Sequence, residues 1–363
     1  MKYKEAKEGK VKIILPENSS VFFNPEAEMT RDLSVSALQV YKKGIKFKIN
    51  VCDPLAATGI RGLRYAKEVK GIKSVVLNDK NPKAYQTIKK NIKLNKLKKC
   101  SAENKDANIL LRSNVFNAID LDPFGSPNVF MDSAARSIWH RGFLMVTATD
   151  TAPLSGTYPE ACLRKYGIKS LKTDFYTELG LRILISFIIL NMTKYERIFV
   201  PQLSFSTLHY FRVFGKIEHA GKIKDILKDF GYVNYCACGN RIFGDLKEIC
   251  NNCGKSFKHC GLIYLGKIND KKFIKDILTD LEKRNFKMKK REEKLLRSIS
   301  GEIETPFYYD IHILGKIFRI GEIPKIEDFI GKIKSKGFKA SRSSICPTGV
   351  KTDANFKYIK NLF

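Results

Sequence analysis

A chain of 363 residues with 44% hydrophobic side chains can bury a full core and is long enough for two domains, which excludes an intrinsically disordered protein. The formal charge of +29 indicates a polyanionic partner, nucleic acid before a membrane surface, because the basic residues are spread along the whole sequence. Nine cysteines in a chain of this size favour a reducing cytoplasm over a small secreted disulfide scaffold.

Strands and helices alternate through the first half of the chain. Short apolar runs predict strands at 49–53, 74–77, 118–121 and 143–147, with helices at 63–70, 82–95 and 128–140. Such alternation predicts an α/β fold, a parallel sheet with helices on both faces. The apolar run 179–192 is interrupted by Arg182 and is too short to cross a bilayer, so it predicts a buried helix and no membrane partner.

Acidic side chains stand at the ends of three of these predicted strands. Asp53 closes the first, Asp79 follows the second and Asp122 follows the third. The carboxyl ends of parallel strands meet at one edge of a sheet, where α/β proteins bind their ligands. We therefore expect the three carboxylates to share one ligand site.

The turn 53–62, rich in small residues, joins the first strand to its helix, and its glycines allow a ligand to approach the backbone closely. It lacks the Gly-x-Gly-x-x-Gly spacing, which disfavours a dinucleotide. Asp79 suits the two hydroxyls of a ribose, although an aspartate ahead of Pro82 is also a common helix cap. Asp106 and Ala107 lie in the next strand-to-helix region, where Asp106 faces an adenine amine or, equally, caps a helix.

This layout fits S-adenosylmethionine, which combines an adenosine, a carboxylate and a positively charged sulfur. Arg31 and Arg61 are candidates for its carboxylate, because a guanidinium can bind a carboxylate through two hydrogen bonds. The alternative for either arginine is a surface ion pair. We expect Asp53, at the start of the turn, to belong to the same cofactor site.

The segment 120–127 reads Asp-Leu-Asp-Pro-Phe-Gly-Ser-Pro. Asp122 and the Pro123 carbonyl can each accept an N–H from an exocyclic amine of a base, and Phe124 can stack on that base. Two fixed acceptors aim the amine lone pair at an electrophilic methyl group, and this positioning supplies most of the catalysis. The alternative is a tight turn without chemistry, since proline and glycine mark loops.

The pattern changes after residue 195, and we place a domain boundary near residue 200, giving domains 1–199 and 200–363. Residues 199–214 predict antiparallel strands, and charged helices are predicted at 271–285 and 288–298. The second domain is expected to be mixed α+β, with a cysteine-rich segment at 232–266.

Basic residues recur in this second half, where we expect them to hold a nucleic-acid backbone and to make affinity fall steeply with salt. The alternative for each lysine taken alone is a solvated helix face. The residues are Lys283, Arg284, Lys287, Lys289, Lys290, Arg291, Lys294 and Arg297, then Lys332, Lys334, Lys336, Lys339 and Arg342.

Four cysteines have spacing typical of a zinc site. They are Cys236, Cys238, Cys250 and Cys253. Four thiolates satisfy a tetrahedral zinc ion, so we expect a closed structural site in a zinc-ribbon-like segment. The first pair has one residue between its cysteines, which leaves open whether His259 or Cys260 replaces one ligand. The alternative is a metal-free turn with reduced thiols.

These segments together resemble one family, the archaeal tRNA guanine-26 N2-dimethyltransferases. The resemblance spans nearly the full chain. It rests on residues 22–25, 31–32, 53–64, 78–79, 106–108, 120–127, 306–312, 337–342 and 347–354. It implies a Rossmann-like S-adenosylmethionine-dependent methyltransferase domain, with tRNA as partner and N2 of guanine 26 as the methyl acceptor.

The resemblance also assigns roles to residues. Asp122 would accept the N2 proton, and Phe22 and Phe124 would hold the extruded base. The cofactor pocket would be lined by Arg31, Arg61, Asp79, Asp106 and Ala107.

Two alternatives stay open from the residues themselves. One is an amino-methyltransferase acting on ribosomal RNA or on adenine or cytosine of DNA, because Asp-Pro-aromatic sites serve those reactions too. The other, a non-catalytic RNA-binding zinc protein, is disfavoured because a pure binding protein needs neither Asp122 nor the cofactor turn. We expect a cytoplasmic protein, with a monomer slightly favoured.

Overall fold

A β-hairpin and a long buried helix open the structure, a computed structural model that describes residues 3–16, 21–207, 209–219, 221 and 223–363. Strands β1 (Tyr3–Glu8) and β2 (Val11–Pro16) pair antiparallel, and a 3-10 turn at Pro25–Ala27 leads into helix α1 (Glu28–Lys43). All residues from Met29 to Tyr41 are buried, so α1 lies inside the molecule.

Residues 49–148 form five parallel strands joined by helices, and the sequence predicts four of these strands, all but Cys100–Glu103. The elements are β3 (Ile49–Asp53), α2 (Ile60–Glu68), β4 (Ile72–Asn78), α3 (Pro82–Leu94), β5 (Cys100–Glu103), α4 (Ala107–Arg112), β6 (Phe116–Leu121), α5 (Asn128–Ser137) and β7 (Ile138–Ala148). The helix predicted over 128–140 ends at Ser137, because the chain turns directly into β7 at Ile138.

Three helices and two further strands follow, and the two strands complete this sheet. They are α6 (Thr151–Leu154), α7 (Pro159–Tyr166), α8 (Tyr176–Thr193), β8 (Arg197–Thr207) and β9 (Tyr210–His219). The seven strands run in the order β5-β4-β3-β6-β7-β9-β8, with β9 antiparallel to both β7 and β8. The antiparallel strands predicted over 199–214 are therefore present.

The predicted domain boundary near residue 200 falls inside β8, which is hydrogen-bonded to β9 along its length. The sheet of the first domain therefore continues to His219. The change of pattern after residue 195 marks the switch from parallel to antiparallel pairing within one sheet. Division into two domains stays a prediction.

Helix α8 is the buried helix that the sequence predicts. Among the described residues it is the one helix long and apolar enough to span a membrane, and 72% of it is buried within the protein. Its Arg182 side chain is paired with Glu178 at 3.0 Å and donates to the Gly266 carbonyl at 2.9 Å. The helix therefore belongs to the core.

Two apolar cores cover the two faces of the sheet. Successive residues of β7 alternate between them, since Leu144 packs in the core around α8 and Phe143 in the core around α1. Helices α10 and α11, introduced below, join the α1 side. Because the two cores cover only the faces of the sheet, the carboxyl ends of its parallel strands form an edge. The loops that follow these strands meet at this edge.

A second, three-stranded sheet carries the cysteine segment. It contains β10 (Phe230–Tyr235), β11 (Arg241–Gly244) and β12 (Lys258–Tyr264), in the order β11-β10-β12, and is preceded by α9 (Ile223–Lys228). The charged helices predicted next are α10 (Lys271–Glu282) and α11 (Lys289–Gly301), and both pack against α1.

The C-terminal residues form a small α+β unit with its own core around Leu314, Phe329 and Val350. Its sheet runs β13-β15-β14. The elements are β13 (Tyr309–Asp310), α12 (Ile311–Phe318), α13 (Ile326–Ser335), β14 (Ala340–Arg342), β15 (Gly349–Thr352) and α14 (Phe356–Lys360).

Candidate active site

The three strand-end acids do meet at one edge of the large sheet, but their surroundings differ. Asp53 is the last residue of β3, and Asp79 and Asp122 come directly after β4 and β6. Asp53 is 2% exposed, Asp79 is half-buried, and the Asp122 side chain is 30% exposed. The edge therefore presents Asp79 and Asp122 to a ligand and keeps Asp53 beneath the surface.

Asp122 is ion-paired and yet open to solvent. Its Oδ2 accepts a hydrogen bond from Nη2 of Arg61, whose side chain is 8% exposed. Burial alone would raise the pKa of Asp122, but the charges of Arg61 and Arg212 and a hydrogen bond with Thr147 hold it below its ordinary value. Asp122 is therefore a carboxylate at neutral pH, fixed in orientation and accessible.

A buried network holds this ion pair from below. Arg212 on β9 binds both oxygens of Asp120 at 2.7 and 2.9 Å and donates to Thr147 at 2.8 Å and to Ser34 at 2.9 Å. Tyr65 also donates to Asp120, and all of these side chains are buried. We refer to Asp53, Asp120, Asp122, Arg61 and Arg212 as the edge cluster.

Asp53 supports the turn from beneath the surface. Its Oδ2 accepts the Gly62 N–H at 3.2 Å, near the start of α2. Burial, together with the negative charge of Asp120, raises the pKa of Asp53 to about 8. The two arginines of the edge cluster are paired with the other two carboxylates, since Arg212 binds Asp120 and Arg61 binds Asp122. The cofactor role of Asp53 stays a prediction, and its observed contact is with the turn.

Asp79 holds the same turn from its outer side. Its Oδ2 accepts the Ala57 N–H at 3.0 Å, and Ala57 has the left-handed φ of 48° that side chains rarely adopt. The cap of α3 is Asn81, whose side chain accepts the Lys83 N–H, so the helix-cap alternative for Asp79 is wrong. Its oxygens keep acceptor capacity beyond these bonds, and a half-buried carboxylate of this kind fits a ribose.

Asn78 supports the loops of the site, a role that reasoning from the sequence missed. It is fully buried, donates to the Pro54 and Lys105 carbonyls at 2.9 and 3.0 Å, and accepts the Lys105 N–H at 3.0 Å. One amide therefore ties together the loops that follow β3, β4 and β5. The paired motif Asn78-Asp79 was the available signal, since an amide beside the acid offers both donor and acceptor.

Asp106 and Ala107 lie at the next strand-to-helix junction. Asp106 is exposed and caps α4, because its Oδ1 accepts a hydrogen bond from the Asn108 N–H at 2.8 Å. Ala107 is buried. The prediction that Asp106 caps a helix is therefore confirmed. An N-cap carboxylate has remaining acceptor capacity, so its proposed contact with adenine stays a prediction.

Both arginines predicted for a cofactor carboxylate are engaged inside the protein. Arg31 binds the two oxygens of Glu8 and donates to the Asn24 carbonyl at 3.0 Å, and its side chain is 5% exposed. Arg61 is held by Asp122 and by Ser34 at 3.1 Å. Their cofactor role stays a prediction, and the contacts seen here make Arg61 the partner that orients Asp122.

The two predicted base-holding rings lie together at the surface. Phe22 is 50% and Phe124 is 73% exposed, and the rings meet edge to face with centroids 4.6 Å apart. A base stacked between them would require the rings to separate and turn parallel. The loop beneath Phe124 is fixed, because the Gly125 N–H donates to Thr149 at 2.6 Å and Ser126 donates to Tyr166 at 2.8 Å.

The four predicted metal ligands form one compact group. Their Sγ atoms all lie within 4.8 Å of one another, with Cys236 and Cys253 at 3.4 Å and Cys238 and Cys250 at 3.7 Å. A tetrahedral zinc ion with bonds of about 2.3 Å separates its sulfurs by about 3.8 Å. The donor set therefore fits zinc.

The two residues considered as replacement ligands lie outside this group. His259 contacts Asn234 at 3.1 Å, and Cys260 is buried in the core around α8. Side-chain amides support the sulfurs instead, since Asn240 donates to Cys250 Sγ at 3.3 Å and Asn252 donates to Cys238 Sγ at 3.4 Å. Such outer contacts are typical of sulfur ligands around a metal.

The predicted basic residues are mostly exposed. Arg284 is an exception, as it pairs with Asp280 with 12% of its side chain exposed, and Arg342 pairs with Glu327. The exposed lysines and arginines are Lys283, Lys287, Lys290, Arg291, Lys294, Arg297, Lys332, Lys334, Lys336 and Lys339. They supply positive surface on α11 and on the C-terminal unit.

Comparison with known proteins identifies the family of the chain. The family model of the N2,N2-dimethylguanosine tRNA methyltransferases matches residues 3–363. The tRNA (guanine(26)-N(2))-dimethyltransferases of Methanosphaera stadtmanae and Methanobrevibacter smithii are 38% and 37% identical, over 98% and 99% of this chain and 95% and 97% of theirs.

A solved structure of Trm1 from Pyrococcus horikoshii with S-adenosyl-L-methionine is similar to the whole molecule. It aligns with a TM-score of 0.90 at 35% identity and covers 99% of both chains. The predicted fold class is thereby confirmed. The chain belongs to the N2,N2-dimethylguanosine tRNA methyltransferase family.

Proposed function

We propose that this chain transfers methyl groups from S-adenosylmethionine to N2 of guanine 26 in tRNA and places two on the same nitrogen. The observation that carries the proposal is Asp122, a charged carboxylate that is open to solvent at the ligand edge of the sheet. Membership of the family and the relatives' names support the acceptor. The strongly basic composition supports a tRNA partner, and the cysteine usage supports a cytoplasmic location.

Guanine N2 lies inside a stacked helix in tRNA, so the base must leave its stack to react. Phe22 and Phe124 are the exposed rings beside Asp122 that could receive it, which offsets part of the unstacking cost. Asp122 and the Pro123 carbonyl then accept the two N2 hydrogens. This pairing orients the nitrogen lone pair, and orientation is a large share of the rate acceleration.

Asp122 needs only modest basicity for this role. S-adenosylmethionine supplies an electrophilic methyl group when it is bound. The amine becomes strongly acidic only as its bond to carbon forms, so a carboxylate with a low pKa can take the proton at that stage. Arg61 keeps Asp122 ionised until then. The second transfer uses the remaining N–H.

The cofactor would be held by the turn 54–59 and the side chains that shape it. Asp79 would accept the ribose hydroxyls, and Asp106 with Ala107 would face the adenine. Asn78 acts through the loops that it ties together. Asp79, Asp106 and the backbone of the turn are the groups whose polar atoms remain available at the sheet edge.

We assign a structural zinc ion to Cys236, Cys238, Cys250 and Cys253. Metal analysis of the purified protein tests this assignment. About one zinc per chain should remain after dialysis, and Cys253→Ser should lose it. Folded wild-type protein without bound metal would contradict the assignment.

The acceptor is tested with labelled S-adenosylmethionine and three substrates in separate reactions: a tRNA transcript, a ribosomal RNA fragment and duplex DNA. We expect label only in tRNA, recovered as N2,N2-dimethylguanosine at position 26, and none in a transcript with adenine at that position. Label in ribosomal RNA or DNA alone would favour the other amino-methyltransferases. Binding of tRNA without any transfer would favour the non-catalytic alternative.

A further inference from the structure

A second concave site lies in the C-terminal part of the molecule and shares no lining residue with the sheet edge. It is a cleft of about 600 Å³, lined by residues 240–243, 251–252, 305–309 and 352–357. Two of these stretches belong to sequence blocks, 306–312 and 347–354, that play no part in the site around Asp122. The cleft is where those two blocks meet the cysteine segment.

The lining combines an aromatic floor with a polar rim. Phe307, Tyr309 and Phe356 are 3%, 9% and 7% exposed and form the floor. Amide and charged side chains form the exposed rim: Asn251, Asn252, Asp353, Asn355 and Lys357. An apolar base with a few polar groups around it, in a volume of about 300–1,000 Å³, is the usual form of a small-ligand site.

The walls of the cleft are fixed before any ligand arrives. Arg241 binds both oxygens of Asp174 at 2.9 Å, and its guanidinium lies 4.1 Å from the Tyr309 ring centroid. Next to Arg241 in the chain, Asn240 donates to Asn251 at 2.8 Å and to Cys250 Sγ. Fixed walls reduce the entropy that a ligand loses when it orders its site.

A basic segment, from Lys332 to Lys339, borders the same cleft. Asp353 in its wall accepts the Lys339 N–H at 2.8 Å, and Tyr358, beside Lys357, donates to the Lys332 carbonyl at 3.0 Å. These contacts place the segment from Lys332 to Lys339 next to the rim, with its lysines at positions 332, 334, 336 and 339 exposed. The surroundings therefore favour a ligand attached to a chain of phosphates.

We propose that this cleft binds one unpaired nucleotide of the tRNA substrate, a nucleotide other than guanine 26. The base would lie against the aromatic floor, the asparagine amides would meet the hydrogen-bonding edge of the base, and Lys357 would meet its phosphate. An amide carries both a donor and an acceptor, as base edges do. The inference rests on the proposed function, since it takes tRNA as the substrate.

Charge reversal on α14 gives a matched test. Lys357 lines the cleft, whereas Lys360 is exposed on the same helix outside it. Lys357→Glu and Lys360→Glu change the protein charge equally, so long-range attraction of tRNA weakens equally. We expect Lys357→Glu to weaken tRNA binding about tenfold more than Lys360→Glu at the same salt concentration. Equal affinities of the two variants would overturn the proposal.

A second pair tests the amide contact without loss of the helix cap. Asn355 caps α14 by accepting the Tyr358 N–H at 2.9 Å, and aspartate caps equally well but lacks the amide donors. Asn355→Asp should lower tRNA affinity about fivefold relative to Asn361→Asp, an exposed position at the end of the same helix. Equal binding by this pair would also count against the cleft.

The two proposals fail in different ways. If wild-type protein methylates guanine 26 and the cleft variants bind tRNA as well as their controls, only the nucleotide cleft is wrong. If wild-type protein methylates no tRNA, the proposed function itself is wrong. Ultraviolet crosslinking of thiouridine-labelled tRNA should also join a nucleotide to the peptide containing Tyr309 or Phe356, and crosslinks confined to other peptides would contradict the cleft.

Discussion

The molecule contains two clusters of arginines and carboxylates that are alike in chemistry and unlike in access to solvent. The edge cluster has one open member, Asp122, at 30% exposure. The closed cluster lies between β1, α1, α2 and α11, and each of its side chains is at most 5% exposed. Its members are Glu8, Arg31, Asp32, Arg64, Glu68 and Glu292.

The difference shows that a buried charge network does not by itself make a reactive site. Arg64 binds Glu8 and Glu68 at 2.8 and 2.9 Å and also pairs with Asp32, so the closed cluster joins the hairpin to α1 and α2. In the edge cluster, Arg61 and Arg212 hold Asp122 in place and leave part of it accessible. The first cluster should govern stability and the second should govern chemistry.

The largest expected effect is on catalysis. Asp122→Asn keeps the shape of the side chain but cannot take a proton, so methyl transfer to tRNA should fall about 10²- to 10⁴-fold. Cofactor affinity should change little, whereas the free energy of unfolding should fall, because the buried Arg61 loses one of its charged partners. Single-turnover methylation, equilibrium cofactor binding and urea unfolding measure the three quantities. Wild-type turnover in this variant would remove Asp122 from the reaction.

Breaking the closed cluster should act on stability instead. Arg64→Met leaves Glu8, Asp32 and Glu68 without their shared cation, which should lower the free energy of unfolding by about 3–5 kcal/mol. Arg112→Met is the control, because its pair with Asp132 is about half exposed and worth at most about 1 kcal/mol. Equal losses in urea unfolding would mean that the closed cluster has no special role.

Asp79→Asn should weaken cofactor binding while tRNA affinity stays nearly unchanged. Loss of one or two charge-assisted hydrogen bonds corresponds to about 1.5–3 kcal/mol, or about 10- to 150-fold in the dissociation constant. Asp276→Asn is the matched control, since Asp276 is exposed on α10 and is not among the residues proposed to hold the cofactor. Calorimetry with the cofactor measures both, and an unaffected Asp79→Asn variant would place the ribose elsewhere.

The smallest expected effect is a change in how stability depends on pH. Burial, a hydrogen bond with Asp32 and the negative charge of Asp32 raise the pKa of Glu292. The folded state therefore keeps a proton that the unfolded chain releases, and wild-type stability should fall as pH rises above the ordinary range of glutamate.

Glu292→Gln carries a neutral amide at every pH and should lose less stability than wild type between pH 6 and pH 9. Glu293→Gln is the control, because the neighbouring side chain is half-buried and outside the cluster. Thermal unfolding at several pH values measures the difference. Parallel pH profiles for all three proteins would mean that Glu292 and Asp32 share no proton in the folded state.

The sequence predicted the three strand-end acids better than the closed cluster for a physical reason. An acid at the end of a parallel strand is a local pattern, and the sheet brings Asp53, Asp79 and Asp122 to one edge without further information. The partner of Arg31 is Glu8, on a hairpin that no local pattern predicted, so its burial followed from long-range packing. The role of Asn78 also depends on long-range packing, because its three hydrogen bonds join loops that are distant in sequence.

The predicted domain boundary near residue 200 also shows that a local pattern does not reveal long-range contacts. The shift from parallel to antiparallel strands was visible in the sequence, but pairing of β9 with β7 is a tertiary contact. The cysteine site was easier to predict, because ligand spacing is local and the structure brings the same four sulfurs together. Only the choice among Cys236, His259 and Cys260 needed the fold.

The central claim is geometric, and a structure of the protein with tRNA and S-adenosylhomocysteine, the demethylated cofactor, tests it most directly. We expect guanine 26 outside its helix, with N2 about 2.6–3.2 Å from an Asp122 carboxylate oxygen and from the Pro123 carbonyl, and with Phe124 against the base. A guanine 26 that remains stacked, or an extruded base whose N2 lies far from Asp122, would contradict the account.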